Sequence, residues 1–274
     1  MNNFTQRTIT GSIYVIAVIG AIIFNPYVLS AFFALVGMLA LGEFYKNSRL
    51  HNIFPDYSLG LLLGLLIYAS FALEAFGIEN KYFIVASLMV GFSIFIFELF
   101  KNKDNPFTNI AYSLLGIIYI MIPMGLTNFV VNPCLTENTF YPSLLLGVII
   151  LAWCNDTFAY LVGVKFGKHR LFERISPKKS WEGFFGGLVF VQIASVIIAY
   201  LTKTPLQTYD WMIMGLIVTI IGTFGDLVES MFKRQIGVKD SGNILPGHGG
   251  ILDRFDILFI AIPFIFSYIY LRLN

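Results

Sequence analysis

Nine apolar runs, each long enough to cross a bilayer as a helix, leave this chain little freedom in what it can fold into. About 20 helical residues span the roughly 30 Å of hydrocarbon, and runs of that order fall near 9–24, 27–45, 58–78, 82–100, 108–131, 141–164, 184–202, 210–232 and 251–271. Only 12% of the 274 residues are charged while 57% are hydrophobic, a share well above that of an ordinary soluble domain. The predicted fold is therefore all-α: a polytopic integral membrane bundle of nine transmembrane helices. Asn25-Pro26 separates the first two runs and is a helix-breaking signal; were it only a kink, the count would be eight. The polar start "MNNFTQRT" lacks a clear cleavage site, so the first run is read as a retained helix.

The basic residues set the expected orientation. With nine spans and a cytoplasmic N-terminus, Lys81, Lys203 and Arg272 fall on one side and the other 15 of the 18 Lys and Arg residues on the opposite side. Such a split is a positive-inside pattern. A net charge of +2 gives no reason to expect a nucleic-acid partner. Cys134 and Cys154 lie outside any metal-binding or CxxC spacing and read as small apolar residues. Residues 1–150 are apolar helices with short joints, expected to be scaffold or dimerisation surface. Residues 151–274 carry the charged and glycine-rich segments, and with them the expected chemistry, within one membrane unit.

Three polar clusters stand out there. In "WCNDTFAYLVGVKFGKHR", Asn155 and Asp156 sit inside a span, where a carboxylate is costly and is by default a functional candidate. Asp156, Ala159, Tyr160 and Gly163 share one helical face. The pair either joins helices or lines a reaction cavity, and the cavity reading is preferred. In "RISPKKSWEGFFGG", Ser176, Lys178, Lys179 and Ser180 precede a helix whose N-terminus suits an anion. The third cluster, "DLVESMFKRQIGVKDSGNILPGHGGILDRFD", concentrates five carboxylates in a chain with few. Asp226, Glu229, Ser230 and Lys233 recur at helical spacing on one face. Asp253 and Asp256 stand three apart at the start of the ninth helix, with Arg254 between them. Three aspartates from two helix ends form a hard-oxygen site suited to Mg²⁺, which takes its remaining ligands from water and phosphates. The glycines of the intervening loop allow positive φ and close approach of phosphate to backbone.

The string Ser230-x-x-Lys233-Arg234, Lys239-Asp240, Pro246-Gly247-His248-Gly249-Gly250 and Asp253-Arg254-x-Asp256 resembles the signature of the phosphatidate cytidylyltransferase (CDP-diacylglycerol synthase) family. "SPKKSWEG" and the Asn155-Asp156 helix resemble it too, so the resemblance is strong over about 150–260. It implies an integral membrane enzyme of the cell inner membrane or its equivalent, with its site on the cytoplasmic side. The implied reaction is CTP plus phosphatidate giving CDP-diacylglycerol and pyrophosphate, with Mg²⁺, a second and monovalent cation, and a homodimer among membrane lipids. Carried onto matching positions, Asp226 and Asp253 resemble metal ligands, with Asp256 a ligand or a close neighbour. Lys233, Arg234, Lys239 and Arg254 would hold phosphates, and Ser176, Lys178 and Lys179 would bind nucleotide or lipid phosphate. Ser180, Ser230, Asp240, His248, Gly249 and Gly250 complete the expected substrate-binding set, and Asn155, Asp156 and Glu229 the cavity lining. His248 is expected to shape the loop rather than to transfer a proton. The alternatives are a CTP-dependent polyprenol kinase and an ion-coupled transporter using the intramembrane carboxylates.

Overall fold

The computed structural model describes residues 3–133, 139–247 and 249–273; Cys134 and His248 therefore lie outside the described residues. Nine helices among those residues are long and apolar enough to cross a membrane. They are α1 (Asn3–Phe24), α2 (Pro26–Ser48), α3 (Tyr57–Ala75), α4 (Lys81–Leu99), α5 (Pro106–Val131), α6 (Pro142–Phe166), α7 (Trp181–Leu201), α8 (Thr208–Gln235) and α9 (Leu252–Leu273). The expected all-α membrane bundle is the fold found. Asn25-Pro26 is a true break rather than a kink. Asn25 is extended (φ −168°) and its side chain accepts from the Val28 N–H at 2.8 Å, with Pro26 opening α2. This is an N-cap followed by a proline at the first helical position.

The link between α6 and α7, where the sequence reading placed no strand, contains a short antiparallel hairpin of β1 (Arg170–Phe172) and β2 (Ser176–Ser180). It lies at the end of the bundle, where loop backbone needs its own hydrogen-bond partners. Its base is clamped by Glu182 in the first turn of α7, whose carboxylate accepts from the Lys168 and His169 N–H groups and meets His169 Nδ1 at 2.6 Å.

Helices α6, α7, α8 and α9 pack successively, and small residues set their spacing. A Cβ on Gly183 would lie 2.6 Å from the Ala159 carbonyl oxygen and 3.2 Å from Gly163 Cα, so α6 and α7 nearly touch. A Cβ on Gly225 would lie 2.8 Å from the Asp256 carbonyl oxygen, which puts α8 against the start of α9. In contrast, only 11% of the most apolar stretch of α4 is buried, and Tyr82, Leu88, Met89 and Phe92 all point outward. On a soluble protein such a face would be a liability; in a bilayer, lipid is its solvent.

Polar groups collect at the two ends. At one, Lys101 reaches Asp56 at 2.6 Å and Glu98 at 3.1 Å, tying the α2–α3 link to the end of α4. Burial opposes its charge, but the hydrogen bonds to those carboxylates outweigh that and raise its pKa above the ordinary lysine value. Asn47 Nδ2 donates to the Ser241 carbonyl at 2.6 Å, so the α8–α9 link belongs to this same end. At the other end, fully buried Asp210 accepts from Gln207 N–H at 2.7 Å, Tyr268 hydroxyl at 2.5 Å and Arg272 Nε at 3.1 Å. That cluster joins the start of α8 to the end of α9, so every group of this buried carboxylate's shell is a hydrogen-bond donor.

Candidate active site

A cavity of about 680 Å³ opens at the end that holds the hairpin. Asp156, Ala159, Tyr160 and Gly163, the face read from their spacing, supply its α6 wall together with Asn155. Ser176, Lys178, Lys179 and Ser180 of β2 form its rim, and Thr223 and Asp226 of α8 its far side. Two of the three polar clusters thus meet in one space, and Asp226 joins them to the third. Lys179 Nζ lies 2.5 Å from Asp226 Oδ2, and Ser230 Oγ donates to Asp226 Oδ1 at 3.2 Å. Ser180 has a local task as well: it caps α7, accepting from Gly183 N–H at 3.2 Å.

Behind the cavity runs a second, drier chain of contacts. Lys233 Nζ is 2.7 Å from Glu229 Oε2 and 2.7 Å from Asp253 Oδ1. Glu229 and Asp253 side chains are only 1% and 5% exposed, so this lysine is committed to two buried carboxylates. The other oxygen of Asp253 accepts from the Ser241 N–H, the Ser241 hydroxyl and the Gly250 N–H, all within 2.9 Å. Asp253 thereby organises the α8–α9 loop. Asp256, one turn further on, is within electrostatic reach of Asp226, Asp156 and Glu229, and Asp156 of Asp226. Arg234, Lys239, Asp240 and Arg254 are exposed around this end, outside the cavity lining.

The glycines of the loop act for different reasons. Gly247 and Gly249 have φ of +80° and +85°, as their residue type allows. Gly250 does not share that conformation; it is glycine for space, because a Cβ there would lie 2.5 Å from Glu43 Oε2 and press on the Ser241 hydroxyl. Glu43, on α2, was not singled out from sequence. Its Oε2 accepts from the Leu252 N–H at 2.9 Å and from Ser241 Oγ at 3.3 Å. The α9 N-terminus is thus capped by protein carboxylates, Glu43 on Leu252 N–H and Asp253 on Gly250 N–H. The signal was present: Glu43 is the sole acidic residue of a 23-residue apolar helix, and a lone carboxylate in a span needs a reason.

The donors fit a hard divalent ion. Mg²⁺ needs only one or two protein carboxylates besides water and phosphate oxygens; Asp156 and Asp226 both line the cavity, and the start of α9 that carries Asp256 packs against Gly225 beside Asp226. Among the described residues, no group of three or more His, Cys, Asp and Glu side chains is gathered as a metal cage.

A helical membrane bundle with lysines and aspartates around a cavity at one end is suited to polyanionic substrates, and the chain belongs to the cytidylyltransferase family, whose profile matches residues 5–272. It is a nucleotidyltransferase by that membership. Relatives named phosphatidate cytidylyltransferase include those of Bacillus subtilis (strain 168), 30% identical over 273 residues and 97% of each chain, and Staphylococcus haemolyticus (strain JCSC1435), 32% identical over 260 residues, 94% of this chain and 95% of that one. That of Synechocystis sp. (strain ATCC 27184 / PCC 6803 / Kazusa) is 31% identical over 291 aligned positions, covering 98% and 97%.

Proposed function

We propose that this chain is a phosphatidate cytidylyltransferase, joining CTP and phosphatidate to give CDP-diacylglycerol and pyrophosphate at the cytoplasmic face of the membrane. The observation that carries this reading is the Lys179–Asp226 pair on the wall of an end-of-membrane cavity. A cation and a carboxylate held 2.5 Å apart can part to receive a phosphate and a metal respectively. The relatives' shared name supplies the substrates. The bias of basic residues toward this end supports the cytoplasmic assignment, where CTP is available while acyl chains remain in the leaflet.

Cytidylyl transfer generally requires a divalent metal. Asp226 and Asp256 would hold it, as Mg²⁺, with Asp156 adjoining; a second, monovalent cation and a homodimer are further parts of this reading. When bound, the ion offsets phosphate charge and stabilises the departing pyrophosphate. The nucleophile is an oxygen of the phosphatidate phosphate, already an anion, so no residue is needed as a strong base. That oxygen forms a bond to the α-phosphorus of CTP as the α–β bridging bond breaks, and the electron pair leaves on pyrophosphate. Lys178 and Lys179 on the rim draw two polyanions into one space. Exposed Arg254 and Lys239 add positive charge at this end of the bundle, which draws the triphosphate toward it. Lys233, fixed between Glu229 and Asp253, holds the α8–α9 loop rigid, and that rigidity keeps Asp226 and Asp256 facing one another.

Purified protein given labelled CTP, with and without phosphatidate, tests the reading. With the label in the cytidine or α-phosphate of CTP, it expects a labelled lipid and unlabelled pyrophosphate only when phosphatidate is present. CDP release with phosphorylation of a polyprenol would replace it with a kinase.

A further inference from the structure

An irregularity in α5 points to one more participant. Pro123 has no N–H to offer the Tyr119 carbonyl four residues earlier. The helix answers with a π turn over Ile117–Met121, in which Ile122 N–H donates to the Ile117 carbonyl, five residues back. Such turns shift side chains off the regular helical stripe and recur at functional sites. This one is wedged in place. A Cβ on Gly37 of α2 would lie 2.9 Å from Met121 Sδ, and one on Gly64 of α3 would lie 2.9 Å from Met121 Cγ.

Within that turn the Tyr119 ring packs on Phe259 of α9, centroids 5.4 Å apart and planes at 53°. Phe259 stands three residues after Asp256, on the same face of the helix. The Tyr119 hydroxyl is buried and has no hydrogen-bond partner among the described residues. Buried hydroxyls are rarely left so, because an unmade hydrogen bond is costly in a dry interior. Asp256 stands one turn before the ring that Tyr119 meets, and α8, which carries Asp226 and Glu229, packs against α9 at that point. Those groups are acceptors when ionised; Ser230 supplies Asp226 with a hydroxyl donor, and a phenol O–H is a neutral donor of the same kind for Asp256.

We propose that Tyr119 is a positioning residue of the active site, its hydroxyl donating through a bridging water to Asp256 and orienting that carboxylate toward the metal. The inference rests on the reading of Asp256 as a metal ligand. It brings the first half of the chain into the chemistry through a helix with no charged residue between Pro106 and Val131.

Tyr119→Phe keeps the ring on Phe259 and removes only the hydroxyl. The test is a Mg²⁺ titration of the thermal midpoint in detergent, without substrate, on wild type and variant, paired with the Mg²⁺ dependence of CTP turnover. The midpoint without metal should be unchanged. The Mg²⁺ concentration for half-maximal stabilisation should rise about tenfold, the usual cost of losing a group that orients a ligand, and the apparent KM for Mg²⁺ should rise with it. Equal titrations for the two proteins would overturn the proposal. So would a fall in the metal-free midpoint, since the hydroxyl would then serve the fold. Wild-type protein stabilised by Mg²⁺ but making no CDP-lipid would sink the substrate reading alone, leaving the comparison of titrations decisive for Tyr119. Wild-type protein that Mg²⁺ does not stabilise would overturn the reading of Asp256 as a metal ligand and the role of Tyr119 with it, while CDP-lipid formation decides the substrate reading separately.

Discussion

Replacing Lys233 with methionine is the most demanding test of the drier half of the site. The side chain keeps much of its length, but its ammonium, 2.7 Å from both Glu229 and Asp253, is lost. Those carboxylates are 1% and 5% exposed, so water cannot replace the missing partner without opening the loop. Removing one member of a buried ion pair costs about 3–5 kcal/mol, most of it from the charge left behind. For a chain of this size that is on the order of 10 °C in thermal midpoint. Loop disorder should also separate Asp226 from Asp256, and turnover should fall by on the order of a hundredfold, about 2.7 kcal/mol of barrier. Lys233→Met combined with Glu229→Gln removes one of the two stranded charges and should recover roughly half of the lost stability while turnover stays low. Thermal unfolding in detergent and CTP turnover read the two effects separately. A single variant melting within about 2 °C of wild type would refute the argument, because a relay worth so little cannot hold the loop.

Other expectations follow from the same geometry. Asp226→Asn should nearly abolish turnover at saturating Mg²⁺ without lowering the metal-free thermal midpoint. Asp253→Asn should lower both, because Asp253 also anchors Lys233, Ser241 and Gly250; normal stability in that variant would contradict its organising role. Cysteine at position 178 or 179 should react with a membrane-impermeant reagent from the cytoplasmic side only, more slowly with CTP or phosphatidate present; labelling from the opposite side would reverse the topology. Gly250→Ala should cost about 1–3 kcal/mol by overpacking against Glu43 and Ser241, and Glu43→Ala in the same protein should relieve the crowding; a Gly250→Ala variant as stable as wild type would show that the contact is absent.

The membrane bundle was legible because hydrocarbon thickness imposes a length that the apolar runs display directly, and Asn25-Pro26 carried its own cap chemistry. The cavity wall was legible for a similar reason: Asp156, Ala159, Tyr160 and Gly163 follow helical period within one continuous segment. What escaped was built from groups far apart in the chain. Glu43 and Leu252 lie 209 positions apart, and no periodicity connects them. The β1–β2 hairpin escaped because five residues with a proline and two lysines carry no alternating apolar pattern. Asp226, Asp253 and Asp256 stand at the same end of the bundle without forming a three-carboxylate cluster, and sequence could not tell which of them protein donors would absorb. That depends on Lys233 and Ser241 reaching Asp253, which only the close approach of α8 to α9 decides.

The cap that α2 places on α9 sets a timetable for biogenesis. Glu43 enters the bilayer early in synthesis, whereas the Leu252 N–H it will hold is 209 residues further along. At about 5–20 residues per second, the carboxylate waits on the order of 10–40 s for its partner. Glu229 and Lys233 emerge together, but Asp253 reaches them only with the final span. A nascent chain stopped before α9 would therefore leave the Glu43 carboxylate without its Leu252 cap, a state that a membrane-embedded protease or chaperone could read as unfinished.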